Sequence, residues 1–299
     1  MKKWINILLK FGKVRITFFV AISCALGFIL ASGKLSYEML IPLLGVFLLS
    51  SGASAFNQWQ EHNLDAKMQR TKNRPIPSGQ LNLKNGFFIA LSLTVLGLVI
   101  LSFTGNMIAF ALGIFAIFWY NIIYTPLKRK TSLAFLPGAL IGSISPAIGW
   151  VSGGGSTFNP QLYALALFFF IWQIPHFWLL LLIYEKDYRN AGFPVLTDIF
   201  NRNQLSQMTF IWISAMSVSS ILILFLGFSQ NNSSFVLREL PLLFIGIILL
   251  WRTKNLLKQN NIILSQSVNS IYKFAFLDIN FYVLAVTILL SFNKLFSSF

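Results

Sequence analysis

The stretch Met39–Gln60, MLIPLLGVFLLSSGASAFNQWQ, runs without a break into Asn57–Gly79, NQWQEHNLDAKMQRTKNRPIPSG. The first part is long and apolar enough to cross a bilayer, which takes about 20 residues. The second part carries Glu61 and Asp65, then Lys67, Arg70, Lys72 and Arg74, and stops at Pro75, Pro77 and Gly79. A spanning helix that ends in an ordered set of acids and cations points to a membrane fold whose chemistry lies at one face.

Composition supports that reading along the whole chain. Of 299 residues, 56% are hydrophobic and 10% charged, whereas soluble domains carry about 25% charged residues. Such an inventory cannot cover a soluble surface. Unpaired backbone groups are not tolerated in lipid, and the period-two alternation of a barrel is absent, so the apolar runs read as helices. The net charge of +15 would suggest nucleic acid in a soluble protein. Here it reads as Lys and Arg gathered in cytoplasmic loops, and no nucleic-acid partner is expected. The single cysteine, Cys24, excludes an internal disulfide, and no CxxC or CxxCH motif is present. The basic N-terminus, MKKWINILLKFGKVR, reads as a retained cytoplasmic segment, not a removed signal.

Nine spans are expected, at about 16–33, 39–60, 86–104, 106–124, 133–152, 161–183, 207–229, 236–252 and 272–292. The N-terminus and the loops after spans 2, 4, 6 and 8 contain 20 of the Lys and Arg residues, and the opposite side only Lys34, Arg238 and Lys294. This asymmetry predicts a multi-pass protein of the cell (plasma or inner) membrane with its N-terminus and charged loops cytoplasmic. No domain boundary is visible, and the chain reads as one domain over 1–299.

Asn57, Glu61 and Asp65 are spaced i, i+4, i+8, which on a continuous helix puts them near one face. Two carboxylates so close repel each other and are costly to desolvate at a membrane boundary. A divalent cation resolves both problems, and amide plus carboxylate oxygens suit Mg²⁺ shared with substrate phosphates. Arg70 and Arg74, with Lys72, supply phosphate-binding cations directly afterwards. The competing reading is a solvated, positive-inside loop, which explains the cations but not Asn57.

The pattern NxxxExxxDxxMxRTxxRPxPxG resembles the first signature of the UbiA superfamily of intramembrane prenyltransferases, in the form found in its heme-farnesylating branch. YTPLKRKT (Tyr124–Thr131), SPAIGW (Ser145–Trp150) and WQIPHFWLLLLIYEKDYRNAGFPVL (Trp172–Leu196) resemble later segments of that branch, in matching order over about residues 16 to 292. The resemblance implies an all-α bundle of about nine transmembrane helices around a lipid-open cavity, capped by cytoplasmic loops. It implies transfer of a farnesyl group from farnesyl diphosphate to a vinyl group of heme B, with addition of water, giving heme O. Asn57, Glu61 and Asp65 would then hold Mg²⁺ against the diphosphate, with Arg70 and Arg74 as clamps. The implied partners are farnesyl diphosphate, heme B, the lipid bilayer, and heme A synthase or oxidase assembly factors.

Further substrate-binding candidates are Lys72, Tyr124, Lys128, Arg129, His176 and Asp187. Tyr124, Lys128 and Arg129 could bind diphosphate or heme propionates, or only anchor a span. His176, in QIPHFW, could ligate heme iron among Trp172, Phe177 and Trp178, or simply bond a neighbouring helix. Asp187 sits where related prenyltransferases carry a second aspartate-rich cluster; here EKDYRN mixes acids with cations, so it could meet metal through water or pair with a loop Arg. Asp278 could pair with Lys273 or face the cavity. The glycines Gly138, Gly142 and Gly149 around Pro146 could mark close helix packing or leave room for a flat ring. Rival readings are prenylation of an aromatic quinone precursor, a transporter, and a non-catalytic heme carrier. Acids gathered at helix ends on one face argue against transport, where sites lie near the midplane.

Overall fold

A computed structural model describes residues 2–227, 234–258 and 265–296. Its helices are α1 (Lys2–Phe11), α2 (Val14–Ser32), α3 (Leu40–Gln60), α4 (His62–Asp65), α5 (Leu83–Ser102), α6 (Met107–Ile117), α7 (Thr125–Leu127), α8 (Phe135–Ser152), α9 (Pro160–Asn190), α10 (Arg202–Gly227), α11 (Ser234–Thr253) and α12 (Ser265–Leu295). Nine segments among the described residues are long and apolar enough to span a bilayer, and no strand occurs there. The protein is an all-α, multi-pass membrane protein.

The long helices form a ring in chain order. α2 packs on α3, α3 on α5, α5 on α6, α6 on α8, and α8 on α9; α9, α10, α11 and α12 follow, and α12 returns to α2. The crossing of α2 and α8 is close enough that a Cβ on Gly149 would fall inside the Cys24 carbonyl. The same crossing is pinned by Ser145, whose Oγ donates to Val20 O at 2.7 Å and accepts from Ser23 Oγ at 3.0 Å. Gly149 of α8 therefore serves close helix packing here.

Several expected boundaries shift. α9 runs on to Asn190, α10 begins at Arg202 and α12 at Ser265; residues 228 and 229 of the seventh expected span lie outside the described residues. Each extension is a polar turn added to an apolar span, a stretch that hydropathy alone trims away. The basic N-terminus is not loose but helical: α1 buries Ile7 and Phe11 against Ala55, Ile76, Leu81 and Ala90. α1 meets α2 at an elbow where Lys13 takes a left-handed backbone, φ +50°. Asp278, for which the sequence leaves open a pair with Lys273 or a place facing the cavity, pairs with Arg252, at 2.9 Å from Nη2.

Residues 118–124 wind as a π-helix between α6 and α7. Such bulges cost hydrogen-bond geometry and gather at functional sites. This one faces the end of α3 and builds much of the site.

Candidate functional site

The site grows from the end of α3. The helix does not continue through the whole acidic motif: it stops at Gln60, Glu61 has φ −108° and ψ 11°, and α4 restarts at His62. The expected single helical face is thus broken by a kink at Glu61. Even so Asn57, Glu61 and Asp65 are all buried, at 2%, 4% and 4% exposure. Buried charge must be paired, and it is. Glu61 Oε2 meets Lys128 Nζ at 2.6 Å and accepts from Asn57 Nδ2 at 2.9 Å. Arg129 Nε lies 3.7 Å from Glu61 Oε1. Arg74 Nη1 donates to both oxygens of Asp65 at 2.7 Å.

Polar side chains fix these groups in place. Gln60 Nε2 donates to Asn121 O at 2.9 Å, while Asn121 Nδ2 donates to Ala53 O and to Gln60 Oε1. The π-helical segment is thereby clamped to α3. Asn57 Nδ2 also donates to Thr125 Oγ1 at 3.3 Å, and Thr125 in turn donates to Tyr120 O. Gln58 Nε2 donates to Lys10 O and Phe11 O, tying the α1–α2 elbow to the same helix end. The elbow delivers Lys13, whose Nζ reaches Asn57 Oδ1 at 3.5 Å. Burial, with Arg74 and Lys128 nearby, pulls the Lys13 ammonium down to about 7. Burial alone would also lower Lys128, but the Glu61 carboxylate outweighs it and raises Lys128 above the ordinary lysine range.

An aromatic column leads from the charged cluster toward the bilayer. The rings of Tyr120 and Tyr124 stack at 5.5 Å, and Tyr124 stacks on Phe177 of α9 at 6.1 Å. Lys128 Nζ lies 5.6 Å from the Tyr124 ring. Gly138 of α8 admits this column, since a Cβ there would meet Tyr124 Cε2 at 2.6 Å. Beyond Phe177 stands His176, with Trp172 at 5.1 Å and Phe276 of α12 at 4.8 Å between ring centres. Its Nδ1 is buried with no hydrogen-bond partner, as is Trp172 Nε1.

The 66–79 segment and the end of α9, with the chain just after it, cover the charged end. Arg70 donates its backbone N–H to Asp187 Oδ2 at 2.9 Å, and its guanidinium lies over the Tyr184 ring at 4.9 Å and reaches Tyr188 Oη at 3.3 Å. Met68, Ala191 and Phe193 pack together with Leu64 and Tyr188. Glu185 receives Arg189 and Arg202, and Arg189 reaches Asp198 at 2.6 Å. Of the expected residues, Asn57, Glu61, Asp65, Arg74, Lys128 and Arg129 come together directly, with Tyr124 beside them. Arg70 and Asp187 instead join the 66–79 segment to the end of α9. Lys72 is exposed, and His176 belongs to the aromatic end of the column.

The donors suit a hard cation. Among the described residues no group of three His, Cys, Asp or Glu side chains could hold a metal. The set on offer is two carboxylates and an amide, which leaves coordination positions for phosphate oxygens and water, as Mg²⁺ commonly requires. Glu61 Oε1, buried without a hydrogen bond, is the oxygen best prepared for it. Lys13, Tyr120, Thr125 and Asn121 are residues the sequence reading did not single out. Asn121 alone carried a signal, as an amide within an apolar run.

Comparison with known proteins places this geometry. The profile of the UbiA prenyltransferase family matches residues 20–269. Protoheme IX farnesyltransferase of Geobacter sulfurreducens is 37% identical over 207 residues, covering 69% of this chain and 76% of that protein. Its counterpart in Nitratidesulfovibrio vulgaris is 35% identical over 209 residues, covering 70% and 73%. A UbiA homolog from Archaeoglobus fulgidus, solved with GPP and Mg²⁺, superposes with a TM-score of 0.68 at 12% identity, over 94% of this chain and 99% of that one.

Proposed function

The chain belongs to the UbiA prenyltransferase family, and on that premise we propose that it joins the farnesyl group of farnesyl diphosphate to a vinyl carbon of heme B, with water adding at the neighbouring carbon, to give heme O. The relatives carrying the name protoheme IX farnesyltransferase support the substrate pair. The observation that carries the mechanism is one buried cluster, Asn57, Glu61 and Asp65 among Lys13, Arg74 and Lys128, standing at the head of the column Tyr120–Tyr124–Phe177.

The reaction breaks an allylic C–O bond, and its cost is the charge that gathers on the leaving diphosphate. Lys128, Arg74 and Lys13 are the cations within reach, and Arg129 is the fourth. Mg²⁺, bound by Asn57, Glu61 and Asp65, would neutralise further phosphate charge, as the A. fulgidus homolog's Mg²⁺ suggests. The farnesyl carbon left behind is a cation, and electron-rich ring faces attract cations by about 0.5–2 kcal/mol each. Tyr124 and Tyr120 offer such faces next to the charged cluster. His176, Trp172 and Phe276 form the apolar end that suits a flat porphyrin, and the unpartnered His176 Nδ1 is a ready ligand for heme iron. Arg70, Asp187, Met68 and Phe193 hold the 66–79 segment to the end of α9 and the chain after it, and would keep water from the cation until the heme vinyl group has attacked. The Lys and Arg distribution supports a cytoplasmic position for this end, and the chain acts as a single domain.

The test is chemical. The protein is expressed in membranes lacking heme O and supplied with heme B, farnesyl diphosphate and Mg²⁺, and hemes are separated and weighed. A product of the mass of heme O, absent with Glu61→Gln, supports the reading. Unchanged heme B with a prenylated aromatic acceptor would move the acceptor assignment to quinone precursors.

A further inference from the structure

The outer side of the α1–α2 elbow carries a feature the farnesyl transfer does not use. A groove of about 560 Å³ is lined by Asn6, Leu9, Lys10, Lys13, Val14, Arg15 and Ile16. Lys13 turns its ammonium inward to Asn57, so the cations left to the groove are Lys10 and Arg15. Both are exposed, and among the described residues neither has an ion-pair partner. No acid occurs in the chain before Glu38, so nothing local neutralises them.

The apolar part of the groove continues into exposed apolar surface of the kind that lipid covers. Trp4, Ile5, Leu8 and Leu9 of α1 are 43–54% exposed, and Ile16, Phe18 and Phe19 of α2 are 56–61% exposed. α2 is a membrane span, and the elbow is its first turn, so the groove lies at the level where hydrocarbon gives way to headgroups. Trp at that level and Lys or Arg beside it are the usual interfacial anchors. The polar mouth is cationic and the wall running into the bilayer is apolar.

We propose that this groove is a binding site for one anionic glycerophospholipid, its phosphate between Lys10 and Arg15 and an acyl chain along Leu9, Ile16 and Phe19. Charge complementarity decides the headgroup class: two unpaired cations with no acid nearby favour a net negative lipid over a zwitterionic one. The ligand would rest against the stem of Lys13 and so brace the strained turn that carries this lysine into the site.

The test uses the full chain in detergent, exposed to an equimolar mixture of phosphatidylglycerol and phosphatidylcholine with identical acyl chains, with retained lipid read by native mass spectrometry. A cation near an anionic headgroup contributes about fivefold, so two predict a preference of about 25-fold for phosphatidylglycerol. Lys10→Gln/Arg15→Gln should bring the two lipids near parity. Lys10→Arg/Arg15→Lys, which keeps the charge, should retain the preference, as should Lys84→Gln, which removes an exposed cation elsewhere. Equal retention of both lipids by the unaltered protein would overturn the proposal. So would an undiminished preference in the glutamine variant. Displacement of phosphatidylglycerol by farnesyl diphosphate would assign the groove to the substrate instead.

Discussion

The pair Glu61–Lys128 can be examined as a thermodynamic cycle that separates structure from chemistry. In Glu61→Gln the Lys128 ammonium loses its carboxylate but remains 24% exposed at the side chain. Breaking a fully buried pair costs 3–5 kcal/mol; partial access to water brings this case to about 2 kcal/mol. In Lys128→Met the carboxylate, only 4% exposed, keeps Asn57 and a distant Arg129, and the cost is about 3 kcal/mol. The double variant removes both charges, leaves neither buried alone, and should cost about 2 kcal/mol. The coupling is then about 3 kcal/mol, at the upper end for directly contacting groups. For a chain of this size each kcal/mol moves the melting temperature by about 2–4 °C, so the single variants should melt about 4–12 °C lower and the double variant no lower than Lys128→Met. Thermal unfolding in detergent gives these values. Farnesyl transfer by the same three samples gives the other half: all three should fall by at least about 100-fold, as for loss of a group that stabilises developing charge. Additive melting losses would refute the ion pair. Recovery of farnesyl transfer in the double variant would refute the catalytic assignment and leave the pair purely structural.

Chelation with EDTA should abolish heme O formation, and excess Mg²⁺ should restore it; activity that survives exhaustive chelation would contradict the role given to Asn57, Glu61 and Asp65. His176→Ala should reduce heme O formation at least about tenfold while leaving the affinity for farnesyl diphosphate unchanged, as titration of each substrate in turn would show. Asp187→Asn weakens the acceptor for the Arg70 N–H and should raise the KM for farnesyl diphosphate several-fold with little change in melting temperature. Gly149→Ala drives a methyl into the Cys24 carbonyl and should cost about 1–3 kcal/mol, seen as a lowered melting temperature without selective loss of either substrate.

The spans were legible because hydrophobic length is a property of the sequence alone: all nine expected runs recur as helices, including the less hydrophobic ones around α8 and α11. The acidic motif Asn57–Glu61–Asp65 was legible as composition and spacing. Its geometry was not, because the kink at Glu61 accompanies a pairing with a distant segment, Lys128, and involves no local breaker such as proline or glycine. Lys13 was invisible for the same reason. In the sequence it is one of five basic residues before the first span, and only the elbow, held by Gln58 against the carbonyls of Lys10 and Phe11, turns it inward while Lys10 and Arg15 face out. The π-helical turn at 118–124 is likewise a tertiary product, stabilised by the exchange between Gln60 and Asn121.

These non-local features share one cause. A membrane enzyme that ionises a diphosphate must gather about half a dozen charges at the edge of hydrocarbon, where each unpaired charge costs several kcal/mol. The solution visible here is to pair every acid of the site with a cation from a different segment: Glu61 with Lys128, and Asp65 with Arg74. An amide adds further bonds, Asn57 to Glu61 and Thr125. The charge cluster thereby becomes the tie that holds α3, the 66–79 segment and the π-helical turn together. The aromatic column can afterwards run straight from a charged head into an apolar body, with Lys128 beside both Glu61 and the Tyr124 ring. Farnesyl diphosphate, the substrate we propose, has the same polarity, charged at one end and hydrocarbon along the rest. The charged cluster and the rings we propose to face the allylic carbon are therefore adjacent, because Lys128 and Tyr124 lie one helical turn apart in the same motif.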